Sequence, residues 1–195
     1  RVAAQRVTFD GALPREENVA VEEPLEIHVN GQPWVTTMRT PGHDRELALG
    51  LLYTEGILTD IVDVESIIVD DNVVLIEGEM AIEGHTRGFV RSSSCGVCGR
   101  ASLDAIMARH PPAISPEGFT IDINTIEALL NQLRSEQSLF DTTGGVHAVA
   151  LFNEHSDIKD VAEDVGRHNA MDKIIGRSIE QLPLSNLGFL LSGRV

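Results

Sequence analysis

His147-Ala148-Val149-Ala150-Leu151-Phe152 is apolar at every position after the first, and Asn153-Glu154-His155-Ser156-Asp157 behind it is built largely from turn formers. A short apolar run closed by turn residues reads as a buried strand. Lys159-Asp160-Val161-Ala162-Glu163 predicts a second strand, Gly166 opens a helix to about residue 179, and Leu187-Gly188-Phe189-Leu190-Leu191 predicts a final strand. Strand and helix alternate, so this half of the chain is expected to be a layered α/β unit.

Upstream of that stretch, residues 124–137 place Ile126, Leu129, Leu130 and Leu133 at helical spacing, a stripe expected to pack into the core. Pro111-Pro112 ends a helix expected over residues 100–109, because proline has no amide hydrogen and crowds the preceding turn. That break sets the expected boundary between one domain of residues 1–112 and another of 113–195. The first reads as β-rich. Pro24-Leu25-Glu26-Ile27-His28-Val29 alternates, Asn30-Gly31 is a hairpin turn, and Trp34-Val35-Thr36-Thr37-Met38 resumes. Pro41-Gly42-His43 then breaks the chain, and Asp44 is the expected N-cap of a helix through Tyr53 with Leu47, Leu51 and Leu52 on one face. Residues 65–69, 73–77 and 81–90 read as further strands. The expected fold is therefore α+β overall, with a small β-rich domain followed by a layered α/β domain.

The 195 residues are 42% apolar and 4% aromatic, so aliphatic side chains must fill the interior, with enough apolar surface to fold without disulfide staples. Fifteen Lys and Arg against 30 Asp and Glu give a formal charge of −15, a field that repels polyanions, and no basic run neutralises phosphates in a row. Nucleic acid is not an expected partner. No apolar stretch approaches the roughly 20 residues of a bilayer span, and the Arg1 end lacks a signal pattern, so no membrane partner and a cytoplasmic location are expected. Starting at Arg1 and stopping at Val195 within a strand pattern, the chain reads as trimmed at both ends. A homodimer is compatible with the pattern, since a sheet edge or helix face left open by one copy would be covered by another.

Both cysteines fall in Ser92-Ser93-Ser94-Cys95-Gly96-Val97-Cys98-Gly99, a loop that runs into the helix expected at residue 100. A disulfide closing over two residues constrains the unfolded chain very little, so a structural staple is not the reading. The thiolate is the nucleophilic form, and a helix start lowers a thiol pKa through its dipole and unpaired amides. Cys98 lies nearest that start, while Cys95 is further out and freer to meet a partner. Thiol–disulfide exchange is open to such a pair, and so is burial as two small apolar side chains. Zinc would need two more ligands, yet there is no second Cys pair and no His-x3–5-His among the seven histidines, so no bound metal is expected.

Three loops beside strand ends combine small residues, glycine and charge. In Thr142-Thr143-Gly144-Gly145-Val146-His147 the amides of Gly144 and Gly145 could cradle an anion, or could form an ordinary tight turn. In Glu163-Asp164-Val165-Gly166-Arg167-His168-Asn169 a strand gives way to a helix, where amides and Arg167 suit a phosphate; the alternative is an Asp164 cap with Arg167 and His168 solvated. Ser192-Gly193-Arg194 repeats the theme. Loops at strand ends of α/β domains line ligand crevices, so the three are expected to share one site.

Taken in order and spacing, Gly50-Leu51-Leu52-Tyr53-Thr54-Glu55-Gly56, Cys95-Gly96-Val97-Cys98-Gly99-Arg100, Thr143-Gly144-Gly145-Val146-His147, Glu163-Asp164-Val165-Gly166-Arg167-His168-Asn169-Ala170 with Asp172-Lys173, and Ser192-Gly193-Arg194 resemble the FdhD/NarQ family of formate dehydrogenase accessory sulfurtransferases. The resemblance covers about residues 20–195, and the cysteine loop and the segment from Glu163 to Asn169 are its specific parts. It implies an enzyme that takes sulfane sulfur from a cysteine desulfurase and sulfurates a molybdenum cofactor, bis-molybdopterin guanine dinucleotide, bound as substrate before its insertion into formate dehydrogenase. It also implies Cys95 as the persulfide-bearing residue, Cys98 as the second loop cysteine, and a larger domain of cytidine-deaminase-like fold. Deaminase activity does not follow, because that chemistry needs His-x-Glu followed by Pro-Cys-x-x-Cys. Here the sequence is His147-Ala148-Val149, and the Cys pair comes earlier, after Ser94.

Family chains continue past the Ser-Gly-Arg strand into a guanine-dinucleotide-binding stretch. On this reading the guanine-nucleotide cofactor lies among Gly144, Gly145, His147, Gly166, Arg167, His168, Asn169, Ser192, Gly193 and Arg194. A thiol–disulfide oxidoreductase and a cofactor-binding chaperone without cysteine chemistry remain the alternatives.

Overall fold

The computed structural model describes residues 1–9, 11–80, 82, 90–91 and 120–193. Cys95, Cys98, the helix expected over 100–109, the Pro111-Pro112 break, Arg194 and most of the strand expected over 81–90 lie outside the described residues.

An element that the sequence does not signal comes first: β1 (Val2–Thr8) and β2 (Gly11–Glu17) pair antiparallel as a two-stranded sheet of their own, exposed along almost all of both strands. The alternation that follows has its expected consequence. β3 (Glu23–Val29) and β4 (Gln32–Arg39) form an antiparallel hairpin. Asn30 and Gly31 turn it with φ of 51° and 70°, a left-handed pair that Asn and Gly adopt at little cost.

With β5 (Val64–Asp70), β6 (Val73–Gly78) and β7 (Val90–Arg91) these strands make a five-stranded sheet in the order β5-β6-β3-β4-β7. Leu25, Ile27 and Val29 of β3 and Val74 and Ile76 of β6 point to one face, where Leu47, Leu51 and Leu52 of α1 (Asp44–Thr54) cover them. The start of α1 differs from expectation. His43, at φ 58°, occupies the cap position without a side-chain bond, and Asp44 is already helical. Its carboxylate receives the buried Arg39 guanidinium as a fork, Nε at 2.9 Å and Nη2 at 2.8 Å. Such a charged, bidentate pair outweighs a single capping bond.

The second half comprises α2 (Ile123–Glu136), α3 (Ser138–Thr143), β8 (His147–Asn153), β9 (Ile158–Asp164), α4 (Arg167–Arg177) and β10 (Leu187–Leu191). Its sheet has the order β10-β8-β9 and is antiparallel throughout, so the chain as a whole is mixed α+β with sheets predominating. Val149, Leu151 and Ala162 face Ala170 and Ile174 of α4. Ala148 and Ala150, pointing the other way as strand alternation requires, face Leu133 of α2. Of the stripe on α2, Leu129 and Leu133 are buried, whereas Ile126 and Leu130 are 39% and 44% exposed.

The two sheets are joined where α1 crosses α4. A Cβ on Gly50 would stand 1.9 Å from the Asp172 carbonyl oxygen, and one on Gly176 would stand 1.8 Å from that of Glu46. Glycine at both positions is what lets the backbones touch. Among the described residues no helix is long and apolar enough to cross a membrane.

Candidate functional site

β9 ends in two carboxylates on opposite faces of the sheet, and each organises one side of the site. Asp164 is fully buried. It accepts from Gly166 N at 2.8 Å, Asn169 Nδ2 at 3.1 Å and Thr40 N at 3.1 Å, and it pairs with Lys173 Nζ at 2.8 Å. Lys173, only 1% exposed, also donates to Thr40 O at 2.9 Å, and Asn169 Nδ2 reaches Met38 O at 2.8 Å. The Asp164 cap considered from the sequence is present, but as the hub of a buried network that fastens the end of β4 to the start of α4. Asn169, buried, belongs to this network, and Thr37 Oγ1 donates to its Oδ1 at 3.4 Å.

Glu163 faces the other way. Its carboxylate accepts from Leu139 N at 2.9 Å and Phe140 N at 2.8 Å, capping α3 from more than twenty residues further along the chain. Replacing Glu163 by alanine is expected to cost about 1 kcal/mol, measured as a lower urea midpoint together with faster hydrogen exchange at Leu139 and Phe140. Unchanged protection of those two amides would mean that water caps α3 equally well.

Gly144 ends α3 at φ 63°, its N–H bonded to Phe140 O at 2.7 Å, and Gly145 N–H meets Thr143 Oγ1 at 3.3 Å. Both amides are thus engaged within their own loop, which turns the chain from α3 into β8. The β8–β9 register sets His147 opposite Asp164. At the end of β10, Ser192 Oγ accepts from Ala148 N at 2.8 Å, and a Cβ on Gly193 would lie 2.6 Å from His147 Nδ1. The three motif loops therefore meet at one end of the small sheet.

There Gly144, Gly145, His147 and Ser192 line a cleft of about 620 Å3. Gly166, Arg167 and the exposed His168 stand at the start of α4 and are not part of its lining. Arg167 Nε is buried and has no hydrogen-bond partner among the described residues. Three further lining residues were not singled out in the sequence: Arg134, Gln137 and Phe140. The Arg134 guanidinium lies over the Phe140 ring, 4.8 Å from its centroid, and pairs with the Asp141 carboxylate. A helix break at Gln137 separates Arg134 from Phe140, so no periodic template brings them together.

β7 runs parallel to β4, with Arg91 opposite Thr37. β7 therefore points toward the end of β4 that meets the Asp164 network. Among the described residues no group of His, Cys, Asp and Glu is placed to hold a metal.

Comparison with known proteins places the chain among relatives. The model of the FdhD/NarQ family matches residues 20–195. The chain is 45% identical to the sulfur carrier protein FdhD of Mycolicibacterium paratuberculosis, over 96% of this chain and 75% of the relative. It is 43% identical to that of Streptomyces coelicolor, over 95% and 72%, and 40% identical to that of Saccharolobus solfataricus, over 97% and 74%. In structure it is similar to a protein from Desulfotalea psychrophila described as a formate dehydrogenase accessory protein, with a TM-score of 0.74 over 99% of this chain and 73% of that one. At 20% identity that likeness is one of fold.

Proposed function

Because the chain belongs to the FdhD/NarQ family, we propose that it is a sulfur carrier in formate dehydrogenase maturation that works as a sulfurtransferase through Cys95. The Cys95 thiolate attacks the outer sulfur of a cysteine desulfurase persulfide. A new S–S bond forms on Cys95, and the desulfurase cysteine leaves as its thiolate. Attack of the Cys98 thiolate on the inner sulfur then expels the outer one as hydrosulfide and leaves a Cys95–Cys98 disulfide, so the cysteine pair supplies the two electrons. The acceptor is the molybdenum cofactor, bis-molybdopterin guanine dinucleotide, bound as substrate among the loops from Gly144 to His147, from Gly166 to Asn169 and from Ser192 to Arg194; there the hydrosulfide exchanges for an oxygen ligand released as hydroxide, with no further change of oxidation state.

The observation that carries this reading is the meeting of those loops at one sheet end, to which the strand feeding the cysteine loop also runs. On the same reading the small sheet with α2 and α4 is the cytidine-deaminase-like unit, beginning after a boundary near residue 112, and the protein works in the cytoplasm, alone or as a homodimer.

Intact-protein mass spectrometry after incubation with a cysteine desulfurase and free cysteine tests the carrier step. The parent is expected to gain one reductant-labile sulfur atom and Cys95→Ala none. An equal gain in the variant would remove Cys95 as the carrier. No gain on the parent, with a competent desulfurase, would leave a chaperone or redox role in its place.

A further inference from the structure

We propose that Arg134 and Phe140 form a stacking platform for the planar base of the nucleotide part of the substrate, in the cleft they share with Gly144, Gly145, His147 and Ser192. The inference rests on the reading that this chain binds a nucleotide-containing cofactor, and adds to it a wall that no sequence motif contains.

Four observations lead to it. First, a cleft of about 620 Å3 falls within the range of cavities that hold small organic ligands. Second, the amides of Gly144 and Gly145 are spent on the α3 turn, so this loop contributes open space rather than donors. A Cβ at Gly144 would meet nothing within 4 Å. Third, among the described residues lining the cleft Arg134 carries the one fixed positive charge, in a chain whose formal charge is −15. Fourth, that charge is held in place: the guanidinium carbon lies over the Phe140 ring, 4.8 Å from its centroid, and the group pairs with Asp141, while about half of the Arg134 side chain stays exposed. A guanidinium already held over a ring and paired has less side-chain freedom left to lose, and its exposed part is a planar group of the kind on which nucleobase rings stack.

The arrangement also accounts for Glu163. By capping α3 it fixes Phe140 N, and with it the ring beneath Arg134. A lone phosphate contact would require neither the ring nor the cap, whereas a planar platform uses both.

The test uses two variants that keep the charge. Arg134→Lys retains the cation and loses the plane; Phe140→Leu retains the cation and loses the ring. Binding of GDP to the whole protein is measured by calorimetry, with a thermal melt of each variant to show that it is folded. Stacking of one base predicts a loss of about tenfold in GDP affinity in each variant. Arg134 is half exposed, so its lysine variant keeps the test valid even if Phe140→Leu unfolds. Parent-like GDP affinity in Arg134→Lys would show a charge contact or a purely structural pair, and would overturn the platform while leaving the cofactor reading intact. Failure of the parent to bind GDP would overturn the cofactor reading and the platform with it.

Discussion

Lys173→Met is expected to lower stability by about 3–5 kcal/mol, because it leaves the Asp164 carboxylate buried without its ammonium partner. Asp164 has no access to solvent, and Lys173 has almost none. The carboxylate would keep three neutral donors, from Gly166, Asn169 and Thr40, but these do not replace a full charge in a site that water does not reach. Against the 5–15 kcal/mol that holds a typical domain together, the loss is a large fraction of the total. For a chain of this size it corresponds to a fall of roughly 6–20 °C in melting temperature. Urea titration followed by circular dichroism gives the difference directly. A change below about 1 kcal/mol would mean that solvent enters the pair and that the network is a surface one.

The second large effect is expected at the crossing of α1 and α4. In an ordinary helix interior, replacing glycine by alanine favours the helix by about 1 kcal/mol. At Gly176 the added methyl would sit 1.8 Å from the Glu46 carbonyl oxygen, and at Gly50 1.9 Å from that of Asp172. Neither neighbour is a flexible side chain that can swing away; both are helical backbone. Overpacking of this kind costs about 3 kcal/mol or more, so the overlap outweighs the propensity gain and Gly176→Ala should be destabilised by about 2 kcal/mol net. Gly176→Leu should lose considerably more. If Gly176→Ala melts at or above the parent temperature, the helices are not in backbone contact, and the two sheets are joined in some other way.

Where a local signal and its tertiary use coincide, the fold was legible. Asn30-Gly31 needed only its own backbone preference, and β3, β4 and β10 fall where alternation or an apolar run placed them. Elements whose reason is remote were not legible. β1 and β2 bury almost nothing, so they carry no apolar period to read. α3 is six residues long and is capped by Glu163, which no local rule links to Leu139. Asp44 looks like a cap in sequence and is taken by Arg39. Likewise, of the site, the three motif loops were legible as neighbours of strand ends, whereas Arg134 over Phe140 depends on the bend at Gln137 and was not.

Glu163 and Asp164 also act as a register key. Adjacent residues on a strand point to opposite sides, so one carboxylate serves α3 and the next serves Lys173. Sliding β9 by one residue along β8 would exchange their faces. Depending on direction it would bring the longer side chain to the tight buried pocket or the shorter one to α3, with a neighbour lacking a carboxylate in the other place, and both walls of the site would lose their fastening in the same event. The hairpin therefore has a single pairing in which either wall can form, and a misaligned strand cannot yield a half-built cleft.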